Sequence, residues 1–283
     1  MFHVEQTFKK DQLVHKAKDY IKSHKEYLIY KDISSGLLWT DLPPNHSHKE
    51  GYASKKYSPH NNQNNFFKKV YKVSQNLMFH YKRILLGREI INSNKALDFG
   101  SGDGAFIRFM SSNTFTIDAL DPFFKAEDIN HKNFYSKLSE VPENQYDIIF
   151  MWHSLEHVQM LENTINEVYK KIKDNGSLVV AVPNHKSFDS FYYKETWAAL
   201  DVPRHLWHFT TSSIKKIMIK HGFKLKRSFP LFLDAHYISY LSAKNRKSSI
   251  PLLQGILIGM ISNFIGIFSG QFSTNTYVFR KIN

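Results

Sequence analysis

A chain of 283 residues, 42% hydrophobic and 22% charged, can build the core of one large α/β domain with a small module attached. Its 38 Lys+Arg against 25 Asp+Glu leave a formal charge of +13, dispersed in short pairs such as Lys9-Lys10 and Lys170-Lys171. This reads as solvated basic surface rather than a nucleic-acid-binding tail. The absence of cysteine excludes disulfides, thiolate metal sites, iron–sulfur clusters and cysteine nucleophiles.

The opening "MFHVEQTFKKDQL" lacks the apolar run of an export signal, so a cytoplasmic protein is expected. Residues 1–65 form an N-terminal module in this reading. Within it "EYLIYKDISSGLLWTDLP" alternates aromatic and polar residues around a Ser-Ser-Gly turn, as a hairpin does. "PPNHSHKEGYASKKYSPHNNQNN", Pro43 to Asn65, carries turn-forming and polar residues without apolar periodicity. From Phe66 to Asn92 the residues Phe67, Val70, Val73, Leu77 and Tyr81 recur at helical spacing.

Strands and helices then alternate. "KALDF", "TFTIDALD", a weak "NFYSKL", "YDIIFMW", "GSLVVAVP", "FKLKRSFPLF" and "NTYVFRK" read as strands. Helices are predicted to open at Ala105 and to run over Met160 to Lys173 and Thr211 to His221. The alternation implies βαβ units and a mostly parallel sheet covered on both faces, with the second domain over 66–283. An insertion at about 235–270 separates the last two strands. Its segment "IPLLQGILIGMISNFIGIF", Ile250 to Phe268, is almost continuously apolar and close to membrane-spanning length. It is expected to be a buried or surface-capping helix, with a membrane-surface contact as the second reading.

"KALDFGSGDGAF" places Gly100, Gly102 and Gly104 between a strand and a helix, where backbone can approach a ligand closely. The string also satisfies the dinucleotide pattern, so NAD stays open from the turn alone, while a P-loop is excluded because no Gly-Lys-Ser/Thr follows. Asp98, two residues before Gly100, puts a carboxylate at the strand end, and Asp103 adds another in the turn. Both repel a pyrophosphate and attract a ligand with an amino group and a sulfonium cation. Asp121, 17 residues beyond Gly104, is near the ~20-residue distance at which a carboxylate takes ribose hydroxyls. Asp118 competes, but Asp121 ends the apolar run and precedes Pro122. Met151, Trp152 and His153, at the end of "YDIIFMW", are expected to line the crevice, because strand C-termini face it in open α/β sheets.

Together "ALDFGSGDGAF", "LDP", "YDIIFMWHSLEHV", "LVVAVPN" and "DVPRHLWHFT" resemble a class I S-adenosylmethionine-dependent methyltransferase, in the bacterial subgroup with "LEHV" and "PRHLxHFT" elements. The resemblance implies an α/β, Rossmann-like, mostly parallel sheet with an antiparallel last strand. The N-terminal module is similar to one that often carries a Cys-x-x-Cys-Gly knuckle, here degenerate and cysteine-free. It further implies S-adenosyl-L-methionine as cofactor, with Gly100, Gly102 and Gly104 around its methionine part, Asp98 on its amino group and Asp121 on its ribose. Met151 and Trp152 would line the adenosine and methyl region.

Methyl transfer often needs a base, and histidine titrates in the useful range. Of His153, His157, His205 and His208, the pair His153 and His205 are the catalytic candidates. Glu156-His157 resembles an acidic-His pair that holds a divalent cation in some quinone-biosynthesis O-methyltransferases. His153 stands where a further carboxylate is expected, two ligands make no defined site, and no metal is expected. The acceptor is read as a small or lipid-like molecule methylated on O or N. An RNA or protein methyltransferase is the alternative that the charge suggests, and a non-catalytic cofactor-binding protein is a third.

Overall fold

The computed structural model describes residues 8–43, 65–112, 114–124 and 133–282, with side chains of the first helix from residue 72 onward. Most of the Pro43–Asn65 stretch lies outside the described residues.

The larger sheet has seven strands: β4 (Lys95–Phe99), β5 (Thr116–Leu120), β6 (Phe134–Tyr135), β7 (Tyr146–Trp152), β8 (Ile172–Pro183), β10 (Phe223–Pro230) and β11 (Thr274–Lys281). Their spatial order is β10-β11-β8-β7-β4-β5-β6. The run from β8 through β7, β4 and β5 to β6 is parallel, and β11 lies antiparallel to both β8 and β10. The chain moves outward from β4 to β6 and returns to β7, so the topological switch point falls between β4 and β7.

The central strands are continuous apolar runs because helices cover both faces. Alternate residues divide between two cores. Ala96, Ile148, Phe150 and Val179 face α1 (Asn65–Leu85) and α3 (Ala105–Met110), whereas Leu97, Ile149, Met151 and Val180 face α4 (Leu161–Lys171) and α6 (Thr211–Lys220). The helix predicted over 66–92 is divided at Leu86, and a short α2 (Gly87–Ile91) follows α1.

A second sheet is antiparallel, in the order β1 (Gln12–Lys18), β2 (Glu26–Lys31), β3 (Leu38–Asp41) and β9 (Trp207–His208). The expected hairpin is β2–β3. Its turn is held by the Asp32 carboxylate, which accepts from Ser34 Oγ at 2.7 Å and from the Ser35 amide at 2.8 Å. The fourth strand comes from "LWHF" in the distant half of the chain, with Leu38 opposite His208 and Trp39 opposite Trp207. A third core of Tyr27, Ile29, Leu38, Trp197, Leu200, Ile238 and Ile258 packs this sheet against the 188–202 segment and against the two helices inserted before β11.

Between β10 and β11 stands a helical hairpin, α7 (Phe232–Asn245) and α8 (Pro251–Ser269). A short α5 (Phe188–Tyr193) lies beneath it.

Candidate active site

The ends of β4 and β7 converge at the switch point. Gly100, Gly102 and Gly104 have φ of 80°, 55° and 73°, a left-handed path that side chains resist. A Cβ at Gly100 would lie 2.4 Å from Ser154 Oγ, which itself donates to the Phe99 carbonyl at 2.7 Å. Glycine thus lets the two strand ends close on one another. Asp121 braces the turn from the end of β5: Oδ2 accepts from the Gly102 amide at 2.9 Å, and Oδ1 from the Phe123 amide at 2.8 Å. Burial raises its pKa against the pull of those amides.

Asp98 is 2% exposed and its Oδ1 has no hydrogen-bond partner. Burial pushes its pKa up to about 7, with Lys82 pulling it down and Asp121 pushing it further up. Lys82 reaches the same space from α1. It is 7% exposed, and its ammonium sits 3.7 Å from the centre of the Trp152 ring. Burial lowers its pKa to about 8, opposed by Asp234 and Asp98. A buried acid and a buried amine thus share one dry region, the amine lying over an indole.

Trp152 and Met151 take opposite sides. Trp152 stacks on Phe150 at 5.9 Å and meets Phe106 edge-on at 5.5 Å, on the Lys82 side of the sheet. Met151 is buried in the other core, with Leu155, Val180 and Trp207. The expectation that both line the crevice therefore meets the strand's two-residue period, which turns neighbouring side chains to opposite faces.

His153 begins the rim with φ of 52°. Its Nε2 lies 3.0 Å from Asp234 Oδ2 in the first turn of α7, and its Nδ1 3.4 Å from Glu156 Oε1. Burial pulls its pKa down, but the two carboxylates outweigh that and raise it to about 10. At neutral pH it is an imidazolium, with no lone pair to act as a base. That raised pKa weighs against the base expected of His153, and the two contacts give it the place of a bridge between the end of β7 and α7.

His205 and His157 behave oppositely. His205 Nδ1 donates to the Ala199 carbonyl at 2.8 Å and His157 Nδ1 to the Arg204 carbonyl at 3.0 Å, and the rings meet edge-on at 4.6 Å. Burial lowers both pKa values, that of His157 to about 4, so both are neutral imidazoles. Glu156 is fully buried beside them, with His153 Nδ1 3.4 Å from its Oε1. One ligand atom from each of Glu156, His157 and His205 lies within 4.8 Å of the others, so the fold adds a third group to the pair seen in the sequence. His208 lies elsewhere: its Nε2 pairs with Thr40 Oγ1 at 2.9 Å and ties β9 to β3.

Sequence reasoning missed Lys82 and Asp234. Lys82 lies on one stripe of α1 with Met78 and Leu85, at i, i+4 and i+7, and a cation on an apolar stripe was the available signal. Asp234 opens a hairpin whose return to the rim no local pattern announces.

A family described as "Methyltransferase domain" matches residues 72–227. No curated protein matches the chain. Among solved structures, a SAM-dependent methyltransferase from Thermotoga maritima superposes with a TM-score of 0.51 at 17% identity, covering 77% of this chain and 95% of its own. The 1,6-didemethyltoxoflavin-N1-methyltransferase of Burkholderia thailandensis, solved with bound 1,6-didemethyltoxoflavin and S-adenosylhomocysteine, gives 0.51 at 12% identity over 94% of this chain and 100% of its own. At these identities the structural likeness is one of fold.

Proposed function

The chain belongs to the methyltransferase-domain family, with S-adenosylmethionine as its cofactor, and from that premise we propose that it methylates an oxygen or nitrogen of a lipid-like acceptor. The residues at the switch point suit the cofactor. Its methionine end is a zwitterion: Asp98, whose Oδ1 is buried without a partner, would take the ammonium, and Lys82 the carboxylate. The turn Gly100–Gly104 would admit the backbone side of the same group. Asp121 accepts three amide hydrogens and keeps lone-pair capacity for ribose hydroxyls. The Trp152 face, which already attracts the Lys82 ammonium, would equally favour a sulfonium.

Bound there, the cofactor supplies an electrophilic methyl carbon: the acceptor's bond to carbon forms as the carbon–sulfur bond breaks, with its electron pair staying on sulfur. The protein contributes position and dryness, and an exit for the acceptor's proton. His205, neutral and with Nδ1 committed to a carbonyl, would receive that proton on Nε2. His153, already charged, would hold the α7 end of the crevice rather than exchange protons.

The lipid-like acceptor rests on one observation. Asp234, the group that bridges to His153 at 3.0 Å, stands in the first turn of α7 beside the exposed Phe232 and Leu233. Those two side chains would give the site an apolar neighbour suited to a lipid-like acceptor. The test is incubation of a cell extract with methyl-labelled cofactor and either wild-type protein or Asp98→Asn. Label entering the organic-soluble fraction with the wild type alone is expected. Label confined to RNA or protein would overturn the lipid-like acceptor in favour of the macromolecular one.

A further inference from the structure

Helix α8 is nineteen residues long, about 28 Å at 1.5 Å per residue, and carries no charged side chain. Its inner face is narrow and small. Gly255, Gly259, Ser262 and Gly266 are buried, and a Cβ at Gly255 or Gly259 would lie 2.6 Å from Tyr240 or His236 of α7. Close backbone approach fixes α8 flat along α7, and Ser262 Oγ adds a 2.7 Å bond to the buried Asp189 carboxylate. A helix held this way lies on the domain.

The outer face is a different surface. Leu253, Leu257, Met260, Phe264 and Phe268 are all exposed, Phe268 to 78%, along the whole length of the helix. Phe191 of α5 extends this apolar surface at 74% exposure. A contiguous exposed apolar strip of this size marks an interaction surface. The polar side chains at the edges of this face are bonded within the protein. Gln254 donates to Tyr192 Oη at 3.2 Å, Asn263 to the Phe232 carbonyl at 2.9 Å, and Ser269 to the Ile265 carbonyl at 2.8 Å. Leu253, Leu257, Met260, Phe264 and Phe268 themselves offer no side-chain hydrogen bond outward. Protein interfaces use about one per 100–200 Å², whereas hydrocarbon demands that every polar group be satisfied within the protein. At the N-terminal end of α8 the exposed Lys244, Arg246 and Lys247 supply positive charge suited to anionic headgroups.

We propose that the α7–α8 hairpin docks this protein in the plane of a bilayer, with α8 sunk into the acyl boundary and Lys244, Arg246 and Lys247 against anionic headgroups. The docked face and the candidate site are joined by one helix, because α7 carries Asp234 at its start and packs α8 along its length. Docking would bring the crevice mouth to the lipid surface. The inference deepens the lipid-like reading of the acceptor, but its test needs no acceptor.

Full-length protein is floated with vesicles of phosphatidylcholine alone or mixed with phosphatidylglycerol, and S-adenosylhomocysteine stabilisation is recorded for each variant. Flotation with the anionic vesicles is expected, falling by about tenfold or more in Leu253→Gln/Met260→Gln/Phe264→Gln, since three exposed apolar side chains that would enter the acyl boundary are removed. Lys244→Gln/Lys247→Gln, which keeps Arg246 on the Tyr192 carbonyl and over the Tyr192 and Tyr193 rings, is expected to lose most of the preference for phosphatidylglycerol. Wild-type protein that stays at the bottom of the gradient overturns the proposal. So does a wild-type dimer that the apolar triple variant converts to monomer without any vesicle binding, which would show a second copy on this face. Flotation without detectable methylation of lipid would retain the docking and remove the acceptor reading.

Discussion

In the free protein, burial holds the Asp98 carboxyl at about 7 and the Lys82 ammonium at about 8, so both titrate near neutrality in the same dry space. Below about pH 7 the free enzyme carries a protonated Asp98, which must lose its proton before it can take an ammonium. Above about pH 8 Lys82 loses the charge that would take a carboxylate. S-adenosylhomocysteine affinity is therefore expected to peak between these values, weakening by up to about tenfold per pH unit on the acid side. Titration calorimetry across pH 5.5–9 checks this, and Asp98→Asn should flatten the acid limb while weakening binding at the peak. Lys82→Met separates binding from stability. It removes a buried cation and keeps the apolar stem, so the melting temperature should hold or rise while S-adenosylhomocysteine affinity falls about tenfold or more. A parallel loss of both would make Lys82 a structural residue only. At this scale the placement of Asp98 in β4, the glycines in the turn and Asp121 after β5 was legible, because each is tied to a strand end or a turn in the local pattern. Lys82 was not, because its role depends on α1 folding back over β4 and β7. The choice between Met151 and Trp152 was equally closed, since a strand's alternation says that two faces exist and not which one opens on the ligand.

Each element of the large sheet was readable from apolar runs set between turn residues, and "YDIIFMW" and "GSLVVAVP" show why. Both are covered by helices on two sides, so nearly every position must be apolar. The two-residue β9 has no such signature. It exists because His208 and Thr40 bond across the sheet, and Trp207 Nε1 reaches the Val158 carbonyl at 2.5 Å. Length and apolarity placed α8 as a helix but left its face undetermined. The glycines decide it, being the only surface on which α7 can lie. Gly255→Val would drive a branched side chain into the Tyr240 backbone, which cannot retreat. Amide exchange is expected to rise through 232–269 and stay slow in β4, β7 and β8. Equal loosening of the central strands would mean that the hairpin is part of the global core.

The N-terminal sheet and the large domain close on each other through a buried charge network. Arg204, beside the rim histidines, donates from Nη2 to Asp201 at 2.6 Å and to Asp19, before the β2 strand, at 3.0 Å. Burial pushes the Asp19 pKa up, but the Ser23 amide and hydroxyl, with Arg204, outweigh it and hold the group at about 2. A carboxylate depressed in the fold contributes stability above its unfolded value of about 4, and that stability is lost as pH falls towards about 2. Asp19→Asn leaves Arg204 one charged partner short and is expected to cost about 3 kcal/mol at pH 7, with the difference from wild type shrinking in acid. Denaturant melts at pH 7 and pH 3 check it. The most direct test of the whole account is ligand-induced stabilisation of the full chain, because a true ligand raises the melting temperature by mass action. Saturable stabilisation by S-adenosylhomocysteine, absent with NADH and weakened in Asp98→Asn, is the predicted result. Stabilisation by NADH with none from S-adenosylhomocysteine would contradict it.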